Sequence, residues 1–132
     1  MKKTIIKPKI LIIEDDIFIG SLLVSRLEKN GMSCILAADA AIALDKIKKE
    51  KPDLILLDII LPGMDGYELL AKLKADKDDA VIPVIILSNL GQEADTQKGL
   101  DLGAEDFLLK ANLNVGDVIQ KVRAILERNK NK

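Results

Sequence analysis

The chain has 132 residues, the size of one ordinary domain: long enough to enclose a sizeable core and too short for two. A hydrophobic content of 48% excludes a disordered or fibrous chain, and 20 Lys and Arg against 21 Asp and Glu leave a net charge of -1, with no general field to draw the protein onto nucleic acid or membrane. With no histidine and a single cysteine, Cys34, the composition also excludes serine–histidine triads, His-based zinc sites and internal disulfides. Lys2 and Lys3 are followed by no continuous apolar stretch, and the apolar runs are far shorter than the roughly 20 residues of a membrane span. A cytoplasmic domain of α/β class is the expectation, with its core over about residues 8–128 and short polar tails at both ends.

Five short runs without apolar–polar alternation, residues 10–13, 33–37, 54–57, 84–87 and 107–109, read as strands buried on both faces. Helical spacing separates them. Ile19, Leu23 and Leu27 form the first inner stripe, closed by a left-handed stop at Asn30-Gly31, and Asp16 serves as the cap. Ala40, Leu44 and Ile47 form the second stripe, with Pro52 just past its end. Pro62-Gly63 suits a type II turn, and Asp65 with Glu68 makes a capping box ahead of Leu69, Leu70 and Leu73. The fourth helix, about residues 92–102, is weak because Thr96 and Gly99 are poor formers, and mobility is expected there. Val115, Val118, Val122 and Ile125 line the fifth helix before a polar tail over residues 128–132. This βα alternation predicts a doubly wound, five-stranded parallel sheet, with the second strand at an outer position because Leu36, Ala37 and Ala38 at its end offer no chemistry. Phe18 and Tyr67 read as packing residues, and Cys34 as a small buried hydrophobe.

In open parallel sheets function gathers beyond the carboxyl ends of the strands. There this chain places Glu14 and Asp15 after the first strand, Asp58 after the third, Ser88 after the fourth and Lys110 after the fifth. Carboxylates gathered around one crevice repel unless a cation sits among them, and an all-oxygen set selects a hard ion, Mg2+ above all. Because Mg2+ is commonly held by one or two carboxylates plus phosphate oxygens, a phosphoryl group is the expected second occupant. A carboxylate is then a competent nucleophile, with lysine and hydroxyl balancing the charge on the transferring oxygens.

Four motifs in these positions resemble the receiver domain of two-component response regulators over nearly the whole chain. Leu11-Ile12-Ile13-Glu14-Asp15-Asp16 is similar to that family's acidic motif, and Leu56-Leu57-Asp58 through Pro62-Gly63-Met64-Asp65-Gly66 to its phosphoacceptor motif. Ser88 matches the hydroxyl position, and Phe107-Leu108-Leu109-Lys110 the switch aromatic followed by the lysine. The resemblance implies a flavodoxin-like fold with strand order 2-1-3-4-5, Asp58 as phosphoacceptor, and Mg2+ bound by Asp15, Asp58 and the backbone carbonyl of Ile60, with Glu14 acting through water. It further implies that Ser88 and Phe107 switch the surface formed by the fourth helix, fifth strand and fifth helix. The implied partners are a histidine kinase or histidine phosphotransfer protein upstream and a protein target downstream, with no direct nucleic acid and no membrane. A stand-alone receiver whose catalysis is confined to its own phosphorylation and dephosphorylation is the expectation.

The chain departs from the family pattern at Ala111, where proline usually follows the lysine, and at Asn89, where a very small residue usually follows the hydroxyl. These departures motivate one alternative, an adaptor that binds its partner without phosphorylation. A Mg2+-dependent phosphatase with an aspartyl nucleophile is a weaker alternative, because Ile60 stands where that chemistry places a second acid.

Overall fold

The computed structural model describes residues 7–130, and the polar tail expected at the amino end lies largely outside them. Five parallel strands, β1 (Lys9–Ile13), β2 (Ser33–Ala37), β3 (Leu54–Asp58), β4 (Val84–Ser88) and β5 (Asp106–Leu109), form one sheet in the order β2-β1-β3-β4-β5. The helices between and after them are α1 (Ile17–Lys29), α2 (Ala40–Glu50), α3 (Gly66–Ala75), α4 (Glu93–Asp101) and α5 (Val115–Lys130). β2 is an edge strand, as its end residues suggested.

Alternation along the strands divides the core into two layers. Leu11, Ile13, Ile55, Leu57, Val84 and Ile86 pack with Ala43 and Ile47 of α2 and with Leu69, Leu70 and Leu73 of α3. Ile10, Ile12, Leu54, Leu56, Ile85 and Leu87 pack with Leu23 and Leu27 of α1 and with Val118, Ile119, Val122 and Ile125 of α5. Both faces of the sheet are therefore covered, which explains why the central strands carry no polar alternation.

Local chemistry sets most of the boundaries. Asp16 caps α1, its carboxylate accepting from Phe18 N and Ile19 N, and Gly31 takes the left-handed φ of +86° that stops it. Lys51 ends α2 in the left-handed region at φ 48°, a place where glycine is usual. Gly63 has the positive φ of +84° that its turn demands, and Met64 N donates to Pro62 O at 3.0 Å. Asp65 caps α3 by accepting from Tyr67 N, while Glu68 faces solvent and returns no bond to the cap among the described residues, so the capping box is half formed.

Three further expectations are corrected. Phe18 is 88% exposed, because the stripe through Ile19, Leu23 and Leu27 turns it outward beside the exposed Ile17. Cys34 is only partly buried, since an edge strand is covered incompletely. The fifth helix continues through Lys130 instead of giving way to a tail at Arg128, whose guanidinium pairs with Glu105 at 2.7 Å.

Candidate functional site

Parallel register brings the carboxyl ends of the strands to one edge, with Ile13 beside Leu57, Asp58 beside Leu87 and Ser88 beside Leu109. A cavity of about 380 Å³ opens there, lined by Glu14, Asp15, Asp16, Asp58, Ile60, Asn89 and Lys110. Asp58 and Glu14 are 5% and 3% exposed and form the floor, whereas Asp15 stands at the mouth in solvent. Carboxylate oxygens of Glu14, Asp15 and Asp58 all lie within 4.8 Å of one another.

The crowding is offset from within the chain. Lys110 Nζ lies 2.9 Å from Asp58 Oδ2 and 2.5 Å from Glu14 Oε2, forming a buried triad of one ammonium and two carboxylates. Asp58 Oδ1 accepts from Ile60 N at 3.1 Å, and Glu14 Oε1 from Asp16 N at 3.0 Å. Burial pushes the Glu14 carboxyl above its ordinary value; the Lys110 and Asp16 hydrogen bonds only partly offset this, and the Asp58 charge adds to it. Burial works against the charge on Lys110, but the hydrogen bonds to Glu14 and Asp58 outweigh it and hold the ammonium above the usual lysine range. Lys110 reaches both acids although the peptide bond to Ala111 is trans, the chain turning away from β5 through a single 3-10 turn at Lys110–Asn112.

Glu14, Asp15, Asp58, the Ile60 segment and Lys110 are thus brought together. Ser88 ends β4 at the same edge but is fully buried, its hydroxyl accepting from Leu90 N at 3.1 Å, and it is not among the residues that line the cavity. Phe107 lies half-buried between β4 and α4, next to Ile86 and Gly99. Asn89 lines the cavity from the position after Ser88.

Gly66 is a requirement that the sequence reading did not single out. Its N–H donates to Ile59 O at 2.7 Å, and a Cβ at this position would stand 2.5 Å from Ile59 Cα and 2.7 Å from Asp58 O. Glycine in the first position of a helix, where alanine is the better former, was the available signal.

The donor chemistry fits a hard divalent cation. Three carboxylates with overlapping reach, one of them in solvent, and no nitrogen or sulfur ligand make an all-oxygen set of the kind Mg2+ accepts.

The protein is of the open, doubly wound α/β class, with an acidic cavity at the carboxyl ends of its first and third strands, and comparison narrows this class to one family. The response regulator receiver domain matches residues 10–123, and this chain belongs to that family. The alkaline phosphatase synthesis transcriptional regulatory protein PhoP of Bacillus subtilis is 40% identical over 120 residues, 91% of this chain and 49% of that protein. The probable transcriptional regulator ycf27 of Cyanophora paradoxa is 37% identical over 125 residues, 95% of this chain and 51% of that protein. The chain spans about half the length of the curated relatives it matches. Among solved structures, the receiver domain of Francisella response regulator 1452 aligns with TM-score 0.86 and 32% identity over 93% of this chain and 99% of that one. A CheY-like receiver domain protein from Methanospirillum hungatei aligns with TM-score 0.87 and 29% identity over 96% and 98%.

Proposed function

We propose that this receiver domain accepts a phosphoryl group on Asp58 from a histidine kinase or histidine phosphotransfer protein and signals the change to a downstream protein. The observation that carries this reading is the Lys110 ammonium held 2.9 Å from an Asp58 carboxylate on the floor of an open, acid-lined cavity. A carboxylate oxygen of Asp58 forms the new P–O bond as the P–N bond to the donor imidazole breaks, the nitrogen keeping the electron pair and taking a proton from solvent. Lys110 stays charged throughout and stabilises the negative charge that spreads over the transferring oxygens. Glu14 pairs with the same ammonium and holds Lys110 in place. Asp15, Asp58 and the Ile60 carbonyl would hold Mg2+, with Glu14 reaching it through water. Bound there, the ion supplies neutralisation of the phosphoryl charge.

In this reading the Ser88 hydroxyl exchanges its bond with Leu90 N for one to the phosphoryl group, and Phe107 moves into the space released. The surface of α4, β5 and α5 changes with it. The domain turns over no separate substrate, and its contacts are with proteins.

Intact mass after incubation with acetyl phosphate, with and without Mg2+, tests the reading directly. A Mg2+-dependent gain of one phosphoryl group that is absent in Asp58→Asn is the expected result. No gain in a folded wild-type chain would refute it and leave the phosphorylation-independent adaptor.

A further inference from the structure

Helix α4 is held to the domain by few contacts. Gly99 is its only buried residue, and its N-cap Gln92 makes no side-chain cap bond. Besides its packing on β5, it is held by one side chain on a neighbouring helix. Tyr67, in the first turn of α3, is 7% exposed and donates its hydroxyl to the carbonyl of Asp95 at 2.9 Å. The ring of the same residue lies beneath Lys98, with Nζ 4.4 Å from the centroid. Asp95 and Lys98 are three positions apart, so the two contacts grip one face of α4 over successive turns.

At its other end Tyr67 is fixed to the segment that follows Asp58. Tyr67 N donates to the Asp65 cap at 3.0 Å, and Gly66 N to Ile59 O at 2.7 Å. Gly66 also sits so close to Asp58 that a Cβ would fall 2.7 Å from the Asp58 carbonyl oxygen. One backbone hydrogen bond, the Asp65 cap and the close approach of Gly66 therefore join the Asp58 segment to the residue whose ring and hydroxyl hold α4. We infer that Tyr67 is a positioning residue through which the Asp58 segment sets the placement of α4, along a route separate from Ser88 and Phe107. The transmission rests on the function proposed above; the tether in the resting protein does not. By linkage, whatever displaces α4 must alter the Asp58 segment through the same contact.

Hydrogen exchange read by mass spectrometry on the whole chain, wild type against Tyr67→Phe, tests this. The variant keeps the ring and loses one hydrogen bond, so α4 is expected to exchange roughly 3- to 10-fold faster while β1 and β3 are unchanged. Equal exchange of α4 in the two resting proteins would overturn the tether. Should Tyr67→Phe quicken exchange everywhere, Lys98→Gln, at an exposed position, replaces it, and an unchanged α4 in that variant overturns the inference. With acetyl phosphate and Mg2+, compared at equal phosphoryl occupancy, the change in α4 exchange is expected to be at least halved in Tyr67→Phe. An equal change in both proteins would overturn the transmission. A wild-type chain that takes up no phosphoryl group would refute the proposed function instead, and the resting comparison would still decide the tether.

Discussion

Lys110 Nζ stands 2.9 Å from Asp58 Oδ2 across 52 positions of chain, and the same nitrogen pairs with Glu14. All three side chains are at most 6% exposed, so the triad is a buried cluster of two carboxyl groups paired with one ammonium, the backbone N–H groups of Ile60 and Asp16 donating to the carboxyl oxygens opposite. Removing one partner of a buried ion pair strands the other without water, which costs about 3 kcal/mol or more. Lys110→Met is therefore expected to lose about 3 kcal/mol in urea denaturation, and adding Asp58→Asn to it should recover more than 1 kcal/mol of that loss. An additive double variant would show that the two side chains are not coupled.

Asp15 is the exposed member of the acidic cluster, and its charge lies within reach of two buried carboxylates. Relief of like-charge repulsion predicts that Asp15→Asn melts no lower than wild type in metal-free buffer. A ligand that binds only the native state raises the melting temperature, so millimolar Mg2+ should stabilise wild type and leave Asp15→Asn unmoved. Equal Mg2+ shifts in the two proteins would remove Asp15 from the metal site.

Gly66 is packed where no side chain fits, with backbone atoms of Ile59 and Asp58 as the obstacles. Backbone cannot rotate aside as a side chain would, so Gly66→Ala must move the start of α3 or the end of β3. Although alanine is the better helix former, a loss of about 2 kcal/mol or more in the urea midpoint is expected. Stabilisation would mean that α3 shifts freely relative to Asp58.

Phe18 and Leu23 make a contrast within one helix, the first 88% exposed and the second fully buried. Phe18→Ser is expected to change stability by no more than about 0.5 kcal/mol, whereas Leu23→Ala should cost about 2–5 kcal/mol. Thermal or urea denaturation of both variants decides the point, and a large loss for Phe18→Ser would place that ring in a contact.

These residues also show which parts of the protein are readable from sequence. The strands were legible because residues such as Leu54 to Leu57 are covered on both faces and must be apolar without interruption. Glu14, Asp15, Asp58 and Lys110 were legible because parallel register carries each strand end to the same edge. Phe18 was misread because residue type gives apolarity and only position relative to the Ile19–Leu23–Leu27 stripe gives facing. Ser88 lies at the expected strand end, and the bond its hydroxyl accepts from Leu90 N is a local one that spacing does not reveal. Asp79 had no sequence signal at all. It is buried, and its partner Lys48 comes from α2, 31 positions away, at 3.0 Å.

Cys34 lies on the edge strand β2, where burial, and then the charge of Glu28, push the thiol up to about 11 from its ordinary 9.0. Thiolate is the reactive form, so alkylation by iodoacetamide at pH 8 should be on the order of 10- to 100-fold slower in the folded chain than in urea. The same shift has a consequence for stability. A folded-state value above the unfolded one means that folding favours the protonated thiol, so its contribution is complete below pH 9.0, falls as pH rises from there, and is gone above about 11. Cys34→Ala should remove this part of the alkaline decline in the urea midpoint between pH 9.0 and about 11. Alkylation at the rate of a free cysteine, together with an identical alkaline profile for wild type and Cys34→Ala, would show that water reaches the thiol in the folded protein.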